Sequence, residues 1–457
     1  MAVDYINTLG AGAGFNTKEL VEALVEAERA PKEAIIQKKI DSSEAQFSAL
    51  AEAVAELSTL RDSARTLNDQ TDFDSYTVSN SLTSALAATV TSTASPGNHT
   101  VSISNVAAAQ RSVTGDLGGK DDALNGGNTF NIGIVIGSVT NTISVSTPTP
   151  AGAVAAINEA NLSVSAELID AGTSGTDYFI KLTGDTGSDN AFTPSSDPNS
   201  VLSFSTQQSA ANASLVVDGT TFARATNTVT DIIPGVTLSL AAGTSGSSAN
   251  IVVNRDDSQV KTKITDFVSA YNTARSKLTS LSSAADAGAL KSDSVFKNLT
   301  KSIHSIVLNA SSTPGTSLVR LSDMGISIDK TGVLSVDSTT LDTALKDNLS
   351  DVVKIFSGAT NNDNEIGSKS RGIAGDLSKL IADSTSRSGY FTTQSEALTG
   401  RLTEYQSDLT ALEERLANLK DRYTQQFLTM QQVIDSMNNT KDNLISTFEN
   451  LPYTQKN

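Results

Sequence analysis

The sequence contains no cysteine, no tryptophan and only two histidines, His99 and His304. Disulfides and thiolate metal sites are therefore excluded, and imidazole chemistry is limited to these two positions. Positive charge is also scarce, because 33 Lys and Arg face 50 Asp and Glu and give a formal net charge of -17. Since binding to phosphate needs clustered cations, this balance disfavours nucleic acid and anionic membranes as partners.

Long apolar runs and catalytic patterns are missing as well. No apolar run approaches the length that spans a bilayer, and residues 1–8 lack the basic segment and apolar core of a cleaved signal peptide. We find no His-centred triad, no metal-ligand spacing and no paired acidic motif. We therefore expect no membrane insertion, no cleaved export signal, no enzyme activity, no metal and no cofactor.

What the sequence does have is a long heptad pattern near its carboxy-terminal end. No Gly or Pro occurs between Arg401 and Leu451, and apolar residues recur at a four-then-three spacing that is typical of a coiled-coil helix. The motif Thr393-Gln-Ser-Glu396 is predicted to cap its start. Gln426 and Thr440 are predicted to be polar interruptions of the seam. The apolar positions are Leu398, Leu402, Tyr405, Leu409, Leu412, Leu416, Leu419, Tyr423, Met430, Val433, Met437 and Leu444.

The amino-terminal region carries a matching pattern. Asn16-Thr-Lys-Glu19 reads as a helix cap, and Pro31 is predicted to start a second helix at its first turn. Because a seam buries apolar side chains only when both helices are present, we expect the two ends of the chain to pack together. The predicted terminal assembly seam comprises Leu20, Leu24, Ile36, Ile40, Phe47, Leu402, Leu409, Leu416, Tyr423, Met430, Met437 and Leu444.

The middle of the chain, residues 72–256, is rich in Ser, Thr, Asn and Gly and predicts β-structure. Alternating apolar runs such as 101–103, 132–136 and 236–240 indicate strands separated by turns. Asp218-Gly219 is a strong hairpin signal. One short helix is predicted over residues 151–160, with Pro150 at its start. The strand-helix-strand pattern around it indicates a domain inserted at residues 112–206.

Helical sequence returns at about Ser258. Two apolar stripes follow. In residues 326–336, apolar and polar side chains then alternate on both sides of a glycine-containing turn, which predicts a β-hairpin. Asp337 is predicted to introduce the next helix, which carries Leu341 and Leu345. His304 lies beside an apolar stripe without a second histidine nearby, so we interpret it as a structural residue.

These elements predict an α+β multidomain protein with terminal coiled-coil helices, a helical bundle domain and inserted β-rich head domains. The predicted limits are 1–41 and 431–457 for the coiled-coil leg, and 42–71 with 257–430 for the helical bundle domain with its hairpin. The head is predicted to comprise one β-rich domain at 72–111 and 207–256, and a second, inserted domain at 112–206.

Three stretches resemble one known family, the bacterial flagellar cap protein or hook-associated protein 2. The first is Leu9-Gly-Ala-Gly-Ala-Gly-Phe15 with Glu28-Arg-Ala-Pro31, and the second runs from Met324 through Gly332 to Asp337 and Leu345. The third is Arg422-Tyr423-x-x-Gln426-Phe427 with Met430, Ile434 and Met437-Asn438. The resemblance implies a coiled-coil leg, a helical domain and variable β-rich heads, exported unfolded by the flagellar type III apparatus.

The resemblance also implies a function and a set of partners. A ring of such chains, with a pentamer favoured, sits at the extracellular tip of the flagellum and guides secreted flagellin into place. Implied partners are other copies of the chain, flagellin, the hook-filament junction protein and an export chaperone at the carboxy-terminal helix. The chaperone-binding candidates are Met430, Val433, Ile434, Met437, Leu444 and Phe448.

Two alternatives to the cap remain. The chain could be another flagellar axial protein, such as flagellin or a hook-filament junction protein, which also pairs its terminal helices. It could instead act as an adhesin through its Ser/Thr-rich head domains. The glycine-rich opening and the hairpin at residues 326–336 favour the cap.

Overall fold

The computed structural model describes residues 17–172, 177–361 and 365–449. The described residues fold into two compact units, one formed by those up to residue 70 and from residue 261, and the other by those between 71 and 260. The first unit is mainly helical and the second is built from strands. The predicted α+β multidomain fold, with a β-rich region inserted between helices, is therefore confirmed.

The helices are numbered in chain order. They are α1 Thr17–Arg65, α2 Pro150–Glu159, α3 Asp257–Ser282, α4 Ser294–Leu308, α5 Ser338–Asp347, α6 Leu349–Ser357, α7 Gly372–Thr385 and α8 Tyr390–Glu449. The first and last of these, α1 and α8, are by far the longest. The sequence analysis did not predict α7, although Ile373, Leu377 and Ile381 follow a helical spacing and are buried.

The prediction that Pro31 starts a new helix is wrong, because Pro31 lies inside α1. Apolar residues on both sides of the proline face the same neighbour, with Val25 buried before it and Ile36 partly buried after it. Packing on both sides therefore keeps the helix continuous, despite a cost of roughly 3 kcal/mol for proline in a helix interior. Asn16 of the predicted cap lies outside the described residues.

The start of α8 also differs from the prediction. The helix begins at Tyr390, and Thr393 lies inside it, where its Oγ1 donates to the Gly389 carbonyl oxygen at 2.9 Å. Tyr390 donates its hydroxyl to Asp293 Oδ2 at 2.7 Å, and Asp293 also accepts from the Phe296 amide at the start of α4. This shared carboxylate joins the starts of α4 and α8.

A partly buried ion cluster attaches the segment before α7 to α1. Arg61 donates from Nε and Nη2 to the two carboxylate oxygens of Glu365, each at 3.0 Å, and Arg65 Nε lies 3.3 Å from the same group. Burial raises the pKa of Glu365, but hydrogen bonds from Ser378 and Arg61 and the nearby Arg65 charge outweigh it and lower the pKa below its usual value.

The predicted hairpin and the helix after it are confirmed. Strands Ile326–Ile328 and Leu334–Val336 pair antiparallel, and Gly332 in the turn adopts a positive φ of 84°. Asp337 caps α5 by accepting a hydrogen bond from the Thr340 amide at 2.8 Å.

The strands are also numbered in chain order. They are β1 Tyr76–Asn80, β2 Leu86–Val90, β3 Gly97–Asn105, β4 Ala109–Thr114, β5 Phe130–Ile136, β6 Val139–Val145, β7 Val164–Asp170, β8 Tyr178–Thr186, β9 Phe192–Asp197, β10 Phe204–Gln208, β11 Ala213–Val217, β12 Thr220–Arg224, β13 Thr228–Val229, β14 Val236–Leu240, β15 Ser248–Arg255, β16 Ile326–Ile328 and β17 Leu334–Val336.

The strands of the second unit surround two separate hydrophobic clusters. One cluster lies beneath the sheets β1-β15-β3-β11-β12 and β13-β14-β2 and includes Ile103, Leu215 and Ile251. The other lies among the sheets β10-β4-β8-β7 and β6-β5-β9 and includes Ile132 and Leu182. The second cluster also receives side chains from α2.

Two local predictions in this unit are confirmed. Asp218 and Gly219 join β11 to β12 with positive φ values of 48° and 84°, which is the backbone that a two-residue hairpin requires. Thr149 caps α2 by accepting from the Gly152 amide at 3.0 Å, and Pro150 occupies the first helical position.

Candidate assembly surface on the terminal helices

The terminal helices α1 and α8 pack together in antiparallel orientation. Glu22 faces Lys420, Arg29 faces Glu413 and Lys39 lies over the Tyr405 ring, so positions rise along one helix as they fall along the other. Between these polar contacts, a hydrophobic cluster closes the pair. Its buried members are Val21, Val25, Leu412 and Leu416, and its partly buried members are Ile36, Leu419, Tyr423 and Phe427.

The structure places the predicted seam residues in three environments. Ile40 and Leu416 are buried, with Leu416 only 2% exposed. Partial burial is found for Ile36, Leu402, Leu409 and Tyr423. Exposure is found for Leu20, Leu24, Phe47, Met430, Met437 and Leu444. The pair thus encloses half of the predicted seam and leaves the other half on its surface.

The exposed residues of the predicted seam lie at two places. Leu20, Leu24 and Phe47 lie on α1, and Met430, Met437 and Leu444 lie on α8. The heptad pattern continues through Met430, Val433 and Met437, but these side chains are exposed, and Met437 is 67% exposed. In the same stretch, Phe427 is partly buried and Gln431 is buried. The contacts of Glu22 with Lys420 and of Arg29 with Glu413 set the register of the two helices, and they place Thr17, the first described residue of α1, opposite α8 between Tyr423 and Met430. The exposed stripe on α8 therefore extends past the described part of α1.

The chaperone-binding candidates lie on this same part of α8. Ile434 is partly buried, whereas the other five are exposed to at least 40%. An exposed apolar stripe of this length is a typical docking surface for another helix. The exposed candidates are Met430, Val433, Met437, Leu444 and Phe448.

Gln431 is a buried polar residue of α8 that the sequence analysis missed. Its side chain is 1% exposed, and neither atom of its amide has a hydrogen-bond partner among the described residues. Gln426 and Thr440, which were predicted to interrupt the seam, are exposed instead. Met430 and Met437 of the same apolar spacing are exposed as well, so the interruption of a seam by Gln426 and Thr440 stays a prediction.

Charged side chains flank the apolar contact and fix its register. Arg29 reaches Glu413 through Nη1 at 3.0 Å, and Lys420 lies 3.7 Å from Glu22. Exposed pairs of this kind contribute at most about 1 kcal/mol each, so they select the alignment more than they stabilise it. On α1, Lys32 donates to Glu28 and holds the pKa of that carboxyl below its usual value.

Chemistry-bearing residues outside the helix pair have structural roles. His99 lies 2.7 Å from Asp218 Oδ2 at the β11–β12 turn, and His304 Nδ1 lies 3.1 Å from the hydroxyl of the buried Tyr271. Burial and the neighbouring Arg275 charge lower the pKa of His304.

Within the ranges that the structure describes, no group of three or more His, Asp or Glu could hold a metal ion. The same ranges contain no helix long and apolar enough to cross a membrane.

Comparisons with known proteins converge on one family. A model described as flagellar hook-associated protein 2 N-terminus matches residues 13–110, and one described as flagellar hook-associated protein 2 C-terminus matches residues 210–439. The chain is 28% identical to A-type flagellar hook-associated protein 2 of Pseudomonas aeruginosa, over 97% of both chains. It is also 28% identical to flagellar hook-associated protein 2 of Escherichia coli K12, over 97% of this chain and 98% of the relative.

A solved structure extends the likeness to the fold. The crystal structure of the flagellar cap protein FliD D1-D2-D3 domains from Escherichia coli aligns with a TM-score of 0.64 at 25% identity. The alignment covers 77% of this chain and 99% of that chain. All of α1, and α8 up to residue 439, fall inside the ranges that the family models match.

Proposed function

The chain belongs to the family of flagellar hook-associated protein 2, and from this premise we propose that it caps the flagellar filament as an oligomeric ring. The cap is a structural assembly factor that guides the polymerisation of flagellin at the filament tip. The family is one of structural cap proteins, so no catalytic role is part of the proposal.

The observation that carries this proposal is the exposed apolar stripe on the second half of α8. Its members Met430, Val433, Met437 and Leu444 keep a coiled-coil spacing, yet the α1–α8 pair does not enclose them. A helix face of this type needs a partner helix to bury it. The proposed partners are other copies of the chain, flagellin and the hook-filament junction protein, and a ring of five copies is the favoured form.

The same proposal divides the chain into four domains. The leg would comprise 1–41 and 431–457, and the helical domain 42–71 and 257–430. The two hydrophobic clusters of the second unit support a head of two domains, with residues 72–111 and 207–256 around one cluster and residues 112–206 around the other. The proposed location is the extracellular tip of the flagellum, reached by secretion.

Before assembly, the exposed stripe would bind an export chaperone. A secreted chain with an uncovered apolar helix face is prone to associate early, and a chaperone that covers the face prevents this. The proposed contact residues are Met430, Val433, Ile434, Met437, Leu444 and Phe448.

Complementation of a cap-deletion strain tests the capping role. The wild-type gene should restore filaments and motility, and purified protein should form rings under negative-stain microscopy. Replacement of Met437 and Leu444 by serine should abolish complementation and weaken binding to the purified export chaperone. The matched control replaces Val295 and Leu308, two exposed apolar residues of α4, by serine. Equal loss in both variants would mean that the α8 stripe has no special role.

A further inference from the structure

One side of the α1–α8 pair contains a cationic cleft. The cleft has a volume of about 390 Å³ and is lined by Lys38 and Lys39 of α1 and Arg401 of α8, beside Ile35 and Tyr405. Lys39 lies over the Tyr405 ring, with Nζ 5.4 Å from the ring centroid. The lining includes no Asp or Glu. An anionic group is therefore the complementary occupant.

The cations of the cleft are not neutralised within the part of the chain that the structure describes. Neither Lys38 nor Arg401 takes part in an ion pair there, whereas Arg29 and Lys420 on the same two helices are paired. Unpaired cations are unexpected at one place in a chain with a net charge of -17. Ile35, at the edge of the cleft, is 60% exposed and offers apolar area to the same occupant.

A different side of α1 carries an acidic row formed by Glu26, Glu33 and Glu44, all exposed. At 100° per residue, Glu33 and Glu44 lie about 140° and 120° around the helix axis from Lys38. Along the axis they lie only about 8–9 Å from it. Among the described residues, neither Glu33 nor Glu44 has an ion-pair partner. The helix thus presents opposite charges on two sides at nearly the same height.

We propose that the cationic cleft of one copy binds the acidic row of the next copy, so that the α1–α8 pairs stand side by side. Contact between two different patches is heterologous, and heterologous contacts generate a closed ring when their rotation closes. This inference rests on the proposed ring and names the residues that would join its members. The similar height of the two patches fits a ring whose members are related by rotation without translation.

Charge complementarity explains why a second copy suits the cleft. Copies that each carry a net charge of -17 repel one another at long range, so association needs a local reversal of sign. Like charges would face each other if the acidic row met another acidic row, and the cleft–row contact avoids this. Such a contact also fixes the relative rotation of neighbours, because misaligned copies oppose like charges.

A charge-swap series in the full chain tests the contact. The first variant combines Lys38→Glu with Arg401→Glu, and the second combines Glu33→Lys with Glu44→Lys. Association is measured by sedimentation velocity and native mass spectrometry at two salt concentrations. Each double variant should weaken association by about tenfold or more, since close charge pairs across interfaces couple strongly. The variant with all four changes should return association to within about threefold of wild type, because its swapped patches again match.

The control for the first variant is Lys297→Glu with Lys301→Glu, two exposed lysines on α4 that have no ion-pair partner among the described residues. It changes the net charge by the same amount as Lys38→Glu with Arg401→Glu. It should assemble like the wild type apart from a small general charge effect. Assembly of both double variants at wild-type strength would refute the contact and leave the ring standing. Loss in the double variants without recovery in the fourfold variant would also refute it. A wild-type chain that stays monomeric at all concentrations would overturn the ring and this contact together.

Discussion

The substitution Gln431→Leu tests whether a buried polar side chain weakens the packing of α8. Gln431 is 1% exposed, and its amide atoms have no hydrogen-bond partner among the described residues. A buried polar group without a partner costs about 1–3 kcal/mol. Leucine has a similar volume and carries no polar atom, so it removes that cost.

The expected magnitude follows from two contributions of the same sign. Enclosing a leucine side chain contributes roughly 1.5–3 kcal/mol relative to leaving it exposed, and the lost polar penalty adds to this. Imperfect fit of the branched side chain opposes both by about 1 kcal/mol or more. We expect a net increase of about 1–3 kcal/mol in the free energy of unfolding. For a unit of this size, each kcal/mol raises Tm by roughly 2–4 °C.

Circular dichroism at the helix band and urea unfolding measure this change. Gln432 supplies the control, because it is the neighbouring glutamine on α8 and is exposed, so Gln432→Leu should change stability by at most about 0.5 kcal/mol. In cells, the stabilised leg should hold the tip more tightly and give shorter filaments with normal secretion. A Gln431→Leu protein no more stable than the Gln432→Leu control would refute the reasoning.

Three further predictions concern the fold. Pro31→Ala should raise the free energy of unfolding by up to about 3 kcal/mol, because proline is unfavourable in the interior of α1, and a fall in Tm would contradict this. Gly219→Ala should lower Tm, because Gly219 has a φ of 84°, whereas Gly400→Ala in α8 should not. Glu365→Gln should lower the free energy of unfolding by about 1–3 kcal/mol, measured by urea unfolding, because it removes the charge that strengthens the hydrogen bonds from the partly buried Arg61. Because folding lowers the pKa of Glu365, its ionised carboxylate stabilises the fold above its ordinary pKa. Wild-type stability should therefore fall as the pH drops from the ordinary pKa through the lowered one. The Gln variant should lack this part of the pH-dependent loss of stability.

The elements that sequence reasoning placed correctly are those whose signals are local. The hairpin around Gly332, the Asp218-Gly219 turn and the α2 start at Pro150 each depend on a few neighbouring residues with fixed backbone preferences. The helix α7 was missed, although its apolar spacing was present, because glycines at 372 and 375 weaken the helical signal.

The candidate surface was harder to predict, because its details depend on tertiary packing. Pro31 favours a helix start locally, and only contacts of α1 with α8 keep the helix continuous. The heptad frame identifies an apolar stripe but not which helix covers it. Gln431 was overlooked because a glutamine does not fit a hydrophobic pattern, and its burial depends on tertiary packing.

The pairing of α1 with α8 joins residues from opposite ends of the chain, such as Arg29 and Glu413, which are 384 positions apart. The entropy of closing so long a loop rises only with the logarithm of its length, and doubling the intervening chain costs only about 0.6 kcal/mol more. The head can therefore gain or lose whole domains with little effect on the helix pair. A chain that ends before α8, in contrast, leaves the apolar face of α1 uncovered. The pairing of α1 with α8 therefore forms only in a chain that extends through α8.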